Sequence, residues 1–273
     1  MKTILRTFVG CTAILFGTAC MGAVKYVPEN MKVELSLKVP GNNAVNYKLH
    51  PDKLENSYFD YEWRSDNKLP ITVFHKVEER DSCMRLTVQF TAAQDVYFNY
   101  RQLLSTGYRH DNCQFYMPGF WYRRNLRSPK KAPSFHTSDS WLVREDRLSA
   151  PLTGIFSEKE KRFMTVNRLD DFSMDALATH KEGEIILSGK TSLGFTGFEN
   201  QQGIAMLSFG FPYREAPKSY IRKLTLAPEV EAFQLMKKGE SVLLTWEIME
   251  SGADDFSDFI QHTWEPVSYT HLR

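Results

Sequence analysis

The feature of this sequence that most constrains its fold is a strict alternation of apolar and polar residues. In residues 83–90, Met84, Leu86, Val88 and Phe90 fall on one face and polar residues on the other. This is the period of a β-strand with one buried face. Comparable strand-like runs cover residues 32–39, 71–77, 96–100, 154–157, 162–167, 184–188, 204–211, 219–226 and 241–249.

Glycine-containing turns separate these runs, and no long helical period interrupts them up to residue 250. Many short strands without alternating helices are typical of a sandwich rather than of a βαβ fold. The sequence therefore predicts an all-β domain over residues 24–250, a large antiparallel β-sandwich of the supersandwich kind.

The segment 251–265 differs, because its apolar residues follow a helical period. Those residues are Phe256, Phe259, Ile260, Thr263 and Trp264. Ser251, Asp254 or Asp255 is available to cap the helix. We expect one C-terminal amphipathic helix that either packs back on the sandwich or begins a helical domain.

Composition excludes some classes of function. The 34 Lys and Arg residues balance 33 Asp and Glu residues, so no basic excess indicates a nucleic-acid partner. Metal-ligand spacings and a phosphate-binding glycine loop are both lacking from the sequence. We therefore predict no metal and no cofactor.

Residues 1–23 resemble a bacterial export signal. Lys2 and Arg6 precede a short apolar run that ends in small residues. The run is too short for a permanent membrane span. Cys20 lies where a lipoprotein signal would be cleaved and lipidated, and cleavage near Ala23 is the alternative. We expect export to the periplasm, outer membrane or cell surface, with membrane contact only through such a lipid anchor.

Two further cysteines, Cys83 and Cys113, lie at the edges of strand-like runs. In an exported protein they could form a disulfide, or they could remain as two buried thiols. The sequence leaves both alternatives open.

The stretch 113–151 combines aromatic rings with arginines, acids and four prolines. It is predicted to be a loop, because the prolines disfavour a helix and the charges disfavour a buried strand. Rings that stack on sugar C–H faces and charged groups that bind hydroxyls or acidic groups indicate a saccharide surface. The candidate binding residues are Trp121, Tyr122, Arg123, Arg124, His136, Asp139, Trp141 and Arg144. The alternative is a structural loop whose aromatic rings fix it to the core.

No catalytic residue is predicted. Glycoside hydrolysis needs two carboxyl groups about 5–10 Å apart across the scissile bond. The acidic pairs 145–146, 170–171 and 254–255 are neighbours in sequence, and neighbours on a strand point to opposite faces.

The chain resembles the N-terminal portion of polysaccharide-degrading enzymes from gut Bacteroidota, in which a β-sandwich precedes a catalytic (α/α) toroid. The segments MPGFWYRRN (117–125) and SFHTSDSWLVREDRLSAP (134–151) are the most similar to that class. The resemblance implies a sandwich that supports the toroid and contributes substrate contacts to it. It implies no catalytic residue in this chain.

Residues 266–273 resemble read-through of sequencing-adaptor DNA, which predicts a truncated reading frame. The expected function is therefore an exported module of a truncated glycoside hydrolase or polysaccharide lyase, inactive alone. Its expected partners are a poly- or oligosaccharide, either acidic or neutral, and the helical domain of the same chain. The alternative is a complete, non-catalytic glycan-binding or adhesive surface lipoprotein.

Overall fold

The computed structural model describes residues 31–49, 61–65, 68–80, 83–125, 135, 137–170, 184–217 and 229–270. The side chains of residues 61–64 and 265–270 are outside this description. The strands are β1 Met31–Lys38, β2 Val45–Leu49, β3 Tyr61–Arg64, β4 Ile71–Arg80, β5 Cys83–Ala92, β6 Val96–Arg109, β7 Cys113–Met117, β8 Trp121–Arg123, β9 Ser140–Arg144, β10 Leu152–Ser157, β11 Arg162–Arg168, β12 Phe195–Gln201, β13 Ile204–Phe211, β14 Arg214–Glu215, β15 Val230–Glu231, β16 Gln234–Met236 and β17 Ser241–Gly252. The helix is α1 Phe256–Thr270.

Two antiparallel sheets form the domain. The first, sheet A, has the order β2-β1-β6-β13-β12-β9, and β16 also pairs with β6. The second, sheet B, has the order β3-β4-β5-β17-β11-β10-β7-β8. Strands β14 and β15 form a separate two-stranded sheet. The predicted all-β sandwich with a C-terminal helix is confirmed.

The main core lies between the inner faces of the two sheets, where alternate residues of the long strands are buried. Leu86, Val88 and Phe90 of β5 have no exposed surface, as the alternation predicts. A hydrogen bond of 2.8 Å from Thr196 Oγ1 to Thr153 Oγ1 also joins sheet A to sheet B. Burial of these apolar faces stabilises the fold, because it removes apolar surface from water.

Helix α1 packs back on the outer face of sheet B. Phe259 has no exposed surface and stacks on Phe156 at 5.9 Å between ring centroids. It sits over Gly154, where a Cβ atom would lie 2.6 Å from Phe259 Cζ. Asp255 Oδ1 caps the helix by accepting backbone hydrogen bonds from Ser257 and Asp258. A glycine in β10 thus makes room for the main anchor of the helix.

Several strand predictions are confirmed closely, including β1, β4, β5, β11 and β13. The prediction that 113–151 is a loop throughout is wrong, because this stretch contributes β7, β8 and β9. All five residues of β7 are buried. Strand β12 was not predicted, and of the run at 184–188 only an isolated bridge at Ile186 forms. The run at 219–226 lies outside the described residues.

The predicted domain boundaries stay predictions. Strand β17 continues to Gly252, and α1 begins at Phe256 and runs to Thr270, beyond the predicted helical segment. Residues 1–23 and Cys20 lie outside the described part of the chain. None of the described helices is long and apolar enough to cross a membrane.

Candidate functional site

Trp121 and Trp141, two predicted sugar-binding residues, lie in the core instead. Their exposed fractions are 0% and 1%, and their ring centroids are 5.1 Å apart. Each indole N–H donates to a backbone carbonyl, that of Arg123 at 2.9 Å and that of Ser138 at 3.1 Å. A ring without exposed surface cannot stack on a ligand. For these two residues, the alternative reading applies: their rings fix the segment to the core.

Arg124 and Arg144 are also engaged by the protein itself. Arg124 donates through Nε to the carbonyl of Cys113 at 3.0 Å and through Nη2 to the carbonyl of Asp111. Arg144 is buried and forms a bidentate pair with Asp146, at 2.7 and 2.8 Å. Guanidinium groups held this way have few donors left for a substrate. The geometry of Arg124 and Arg144 therefore does not support the prediction that their guanidinium groups bind a saccharide.

Asp139 and His136 belong to the segment that leads into β9. The carboxylate of Asp139 accepts a hydrogen bond from the Asn200 side chain at 3.0 Å, and its backbone carbonyl accepts from Asn200 N at 2.7 Å. Asp139 therefore holds the start of β9 against β12. His136 lies outside the described residues.

Among the described residues, Tyr122, Arg123 and Asp139 are the predicted binding residues that remain exposed, and Tyr122 and Arg123 are neighbours on β8. Tyr122 keeps 52% of its surface exposed, and its ring contacts Tyr116 at 5.3 Å. The Tyr116 hydroxyl accepts a hydrogen bond from Trp264 Nε1 of α1 at 2.9 Å. Arg123 places its guanidinium 5.2 Å from the ring centroid of Phe256. Tyr116 and Phe256 are themselves buried and lie beneath these exposed side chains. We call Tyr122 and Arg123, with the supporting residues Tyr116, Phe256 and Trp264, the aromatic surface.

A tight turn positions this surface at the edge of sheet B. Phe120 N donates to the carbonyl of Met117 at 3.0 Å, and Gly119 has a φ of 79°. Proline followed by a left-handed glycine is typical of a type II turn, and Pro118-Gly119 provides that pair. The turn folds β8 back on β7, so that Trp121 points inward and Tyr122 outward. This Pro-Gly signal between aromatic runs could have revealed the hairpin in the sequence.

A charged network that sequence reasoning missed lies on the outer face of sheet A. Arg101 Nη1 lies 2.9 Å from Glu34 Oε2, and Nη2 pairs with Glu199 Oε1. Arg101 Nε donates to Ser208 Oγ at 3.2 Å. One guanidinium therefore connects β1, β6, β13 and β12. The residues are far apart in sequence, so only strand pairing brings them together.

Beside this network lies a solvent-open hollow of about 110 Å³. Its lining residues are Lys32, Val33, Glu34, Lys48, Leu103 and Gln201. Val33 and Leu103 are buried, whereas Lys32 and Lys48 are exposed. Val33 belongs to the core between the sheets and Leu103 has no exposed surface, so the accessible lining of the hollow is formed by Lys32, Glu34, Lys48 and Gln201.

A buried ion pair connects the sheets at another point. Glu145 has no exposed surface, and its Oε2 lies 2.6 Å from Arg168 Nη1 and accepts from Gly194 N at 2.8 Å. Burial raises the pKa of Glu145, and Arg168 with the Gly194 N–H opposes that rise. Because both groups are closed off from solvent, this pair supports the fold rather than a ligand site.

The two cysteines are not joined to each other. Cys83 lies in β5 and Cys113 in β7, with three strands of sheet B between them. Neighbouring strands are about 4.8 Å apart, and a disulfide needs Cα atoms within about 7 Å. Burial raises the pKa of the Cys113 thiol to about 12. Among the described residues, no group of three or more His, Cys, Asp or Glu side chains is placed to hold a metal ion.

Comparison with known proteins gives structural likeness alone, since no protein-family profile and no curated protein sequence matches the chain. A polysaccharide lyase is 15% identical, with a TM-score of 0.40, and the match covers 86% of this chain and 27% of the lyase. The GH36 α-galactosidase AgaA of Geobacillus stearothermophilus is 11% identical, with a TM-score of 0.44, over 80% of this chain and 30% of the enzyme.

A galactose mutarotase-like protein from Clostridium acetobutylicum is 9% identical, with a TM-score of 0.41, and the match covers 81% of this chain and 79% of that protein. The match to the lyase and the α-galactosidase spans less than a third of their length. At this identity and TM-score the likenesses assign no function to the chain.

Proposed function

We propose that this chain is a saccharide-binding β-sandwich module of an exported carbohydrate-active enzyme, a glycoside hydrolase or polysaccharide lyase. In this proposal the module contacts the substrate through the aromatic surface and supports a catalytic domain. Export rests on the sequence of residues 1–23 alone.

The observation that carries the proposal is the exposed ring of Tyr122 beside the exposed guanidinium of Arg123. An aromatic face can stack on the C–H face of a pyranose ring, and its hydroxyl can hydrogen-bond to the sugar. The Arg123 fork can pair with the carboxylate of a uronic acid. Arg124, the neighbouring candidate, is less suited to this role, because its guanidinium donates to the backbone carbonyls of Cys113 and Asp111.

The position of the surface suits a module that works beside another domain. Tyr116, which supports the Tyr122 ring, also accepts the hydrogen bond from Trp264 of α1. The edge strand β8 and the helix therefore meet at the same place. A ligand on Tyr122 would lie against the segment that connects the sandwich to any domain that follows.

The proposal is tested by titrating trigalacturonate and neutral galactotriose into the purified chain. We expect Tyr122→Ala to weaken binding of both sugars at least tenfold, because the stacking ring is lost. Arg123→Gln should weaken only trigalacturonate. Tyr97→Ala and Lys161→Gln are the controls, because Tyr97 is a half-buried tyrosine of sheet A and Lys161 also has a positive φ, 52° against 56° for Arg123. Equal affinities of the Tyr122→Ala variant and the unmodified chain would contradict the proposal.

A further inference from the structure

Helix α1 supports both exposed residues of the aromatic surface, at two separate places along its length. Phe256, in the first turn, lies 5.2 Å by its ring centroid from the guanidinium carbon of Arg123. Trp264, further along the helix, donates from Nε1 to the Tyr116 hydroxyl at 2.9 Å. At a rise of about 1.5 Å per residue, these two contacts lie about 12 Å apart along the helix axis. The helix therefore acts on β8 directly at one point and through Tyr116 at the other.

Tyr116 connects Trp264 to the ring of Tyr122. The Tyr116 ring lies 5.3 Å from the Tyr122 ring and meets the Trp264 ring edge to face at 6.5 Å, both measured between centroids. Tyr116 is only 4% exposed, and its hydroxyl accepts the Trp264 hydrogen bond. The exposed Tyr122 ring thus rests on a buried ring whose orientation is fixed by α1.

The contact of Arg123 with α1 fixes a side chain that is otherwise long and exposed. Its guanidinium lies over Phe256, which is buried and packs on Phe259 at 5.5 Å between ring centroids. An arginine over an aromatic ring is attracted electrostatically by the ring and can still present its planar fork to a carboxylate. Phe256 therefore limits the directions in which the Arg123 fork can point.

Side chains that are ordered before binding give tighter complexes, because less rotamer entropy is lost when the ligand binds. We propose that Trp264 and Phe256 are positioning residues that couple the docking of α1 to saccharide binding at the aromatic surface. This coupling depends on the function proposed above, because it concerns the same surface. Coupling between two equilibria is reciprocal, so a bound saccharide also holds α1 more tightly on sheet B.

Each positioning residue has its own effect on sugar specificity. Trp264→Phe keeps an aromatic ring and removes the N–H donor, so binding of trigalacturonate and galactotriose should both weaken by about threefold. Phe256→Leu keeps apolar volume and removes the ring beneath Arg123, so only trigalacturonate binding should weaken, also by about threefold. Gln261→Ala, which changes an exposed residue of α1, is the control and should alter neither affinity. A purely structural role of the helix would not separate the two sugars.

A double-variant comparison tests whether the hydrogen bond itself positions Tyr122. Tyr116→Phe removes the acceptor and Trp264→Phe removes the donor, so the double variant should bind no more weakly than either single variant. Phe163→Leu is the control for stability, because the Phe163 ring packs on Phe259 of α1 at 5.0 Å. Phe163 belongs to β11, and strands β10 and β7 lie between β11 and β8. This variant should lower stability and leave both affinities unchanged.

The reciprocal effect is measured as amide hydrogen exchange of the full chain with and without saturating trigalacturonate. Exchange at residues 257–264 should slow by about threefold more than exchange in β1, which lies in the other sheet. The double variant Tyr122→Ala/Arg123→Gln should show no such difference.

The outcomes distinguish the coupling from the function on which it depends. If the unmodified chain binds neither sugar, the proposed function is wrong and the coupling is wrong with it. If the unmodified chain binds, three results would each overturn the coupling alone: unchanged affinities in Trp264→Phe and Phe256→Leu, additive losses in the Tyr116→Phe/Trp264→Phe variant, or protection of α1 no greater than that of β1.

Discussion

The indole rings of Trp121 and Trp141 join the two sheets at their edges, with ring centroids 5.1 Å apart. Trp121 belongs to β8, the last strand of sheet B, and Trp141 belongs to β9, the last strand of sheet A. Trp121 also makes an edge-to-face contact with Phe198 at 5.1 Å. The pair closes one side of the sandwich and holds the outer residues of β8 in place.

Truncation of either tryptophan should destabilise the fold strongly. We expect Trp121→Ala and Trp141→Ala each to lower the free energy of unfolding by about 3–5 kcal/mol, because a large buried side chain is replaced by a cavity. The measurement is urea denaturation followed by circular dichroism. Tyr122→Ala, on the same strand but exposed, serves as the control and should change stability by no more than about 0.5 kcal/mol. Equal effects of Trp121→Ala and Tyr122→Ala would contradict the burial of Trp121.

The buried Glu145–Arg168 pair gives a second prediction. Arg168→Met should lower the free energy of unfolding by about 3–5 kcal/mol, because it leaves the buried Glu145 carboxylate without its cation. The double variant Glu145→Gln/Arg168→Met should recover part of that loss, since no buried charge remains. Denaturant midpoints of the two variants provide the comparison. A double variant less stable than Arg168→Met alone would count against this account.

His75 predicts a loss of stability in acid. Its ring has no exposed surface, and Nε2 lies 3.2 Å from the Tyr100 hydroxyl. Burial lowers the pKa of His75 from 6.5 to about 3, so between these values the unfolded chain binds a proton that the folded chain does not. The neutral His75 ring therefore contributes to the free energy of unfolding fully above pH 6.5, and this contribution is lost as pH falls toward 3.

The expected loss from His75 is about 2 kcal/mol between pH 7.5 and pH 5. It is measured as the difference in unfolding free energy between the unmodified chain and His75→Gln at each pH. The subtraction is needed because burial also raises the pKa of Glu250. A carboxyl group with a raised pKa makes the folded chain more stable as pH falls, which opposes the effect of His75. A difference that stays constant over this pH range would show that His75 is accessible to protons in the folded state.

The contact of Gly154 with Phe259 predicts a compensating pair of substitutions. Gly154→Ala alone should displace α1, because the added Cβ would lie 2.6 Å from Phe259 Cζ. Phe259→Ala alone should lower the free energy of unfolding by about 3–5 kcal/mol, because it leaves a cavity where the buried ring was. In the double variant the new methyl group occupies part of that cavity, so the combined loss should be smaller than the sum. Amide hydrogen exchange in α1 measures the displacement of the helix, and thermal unfolding measures the loss of stability.

The stretch 113–151 shows the limit of reading the site from sequence. Its aromatic and arginine content marked a special region, and Tyr122 and Arg123 are indeed exposed there. The sequence could not tell that Trp121 points inward and Tyr122 outward, because that depends on the turn at Gly119 and on the pairing of β8 with β7. It also could not show that the donors of Arg124 are engaged by backbone carbonyls.

The sequence by itself determined the fold class, because apolar alternation with period two is a local property that marks the buried face of each strand. It also predicted a helical segment over residues 251–265, but it left the cap open among Ser251, Asp254 and Asp255, and the structure shows that Asp255 is the cap. Only the tertiary structure decided which polar groups meet. Glu34, Arg101 and Glu199 are brought together by pairing of β1 with β6, β6 with β13 and β13 with β12. Strand order is set by contacts between residues far apart along the chain, and no local pattern encodes it.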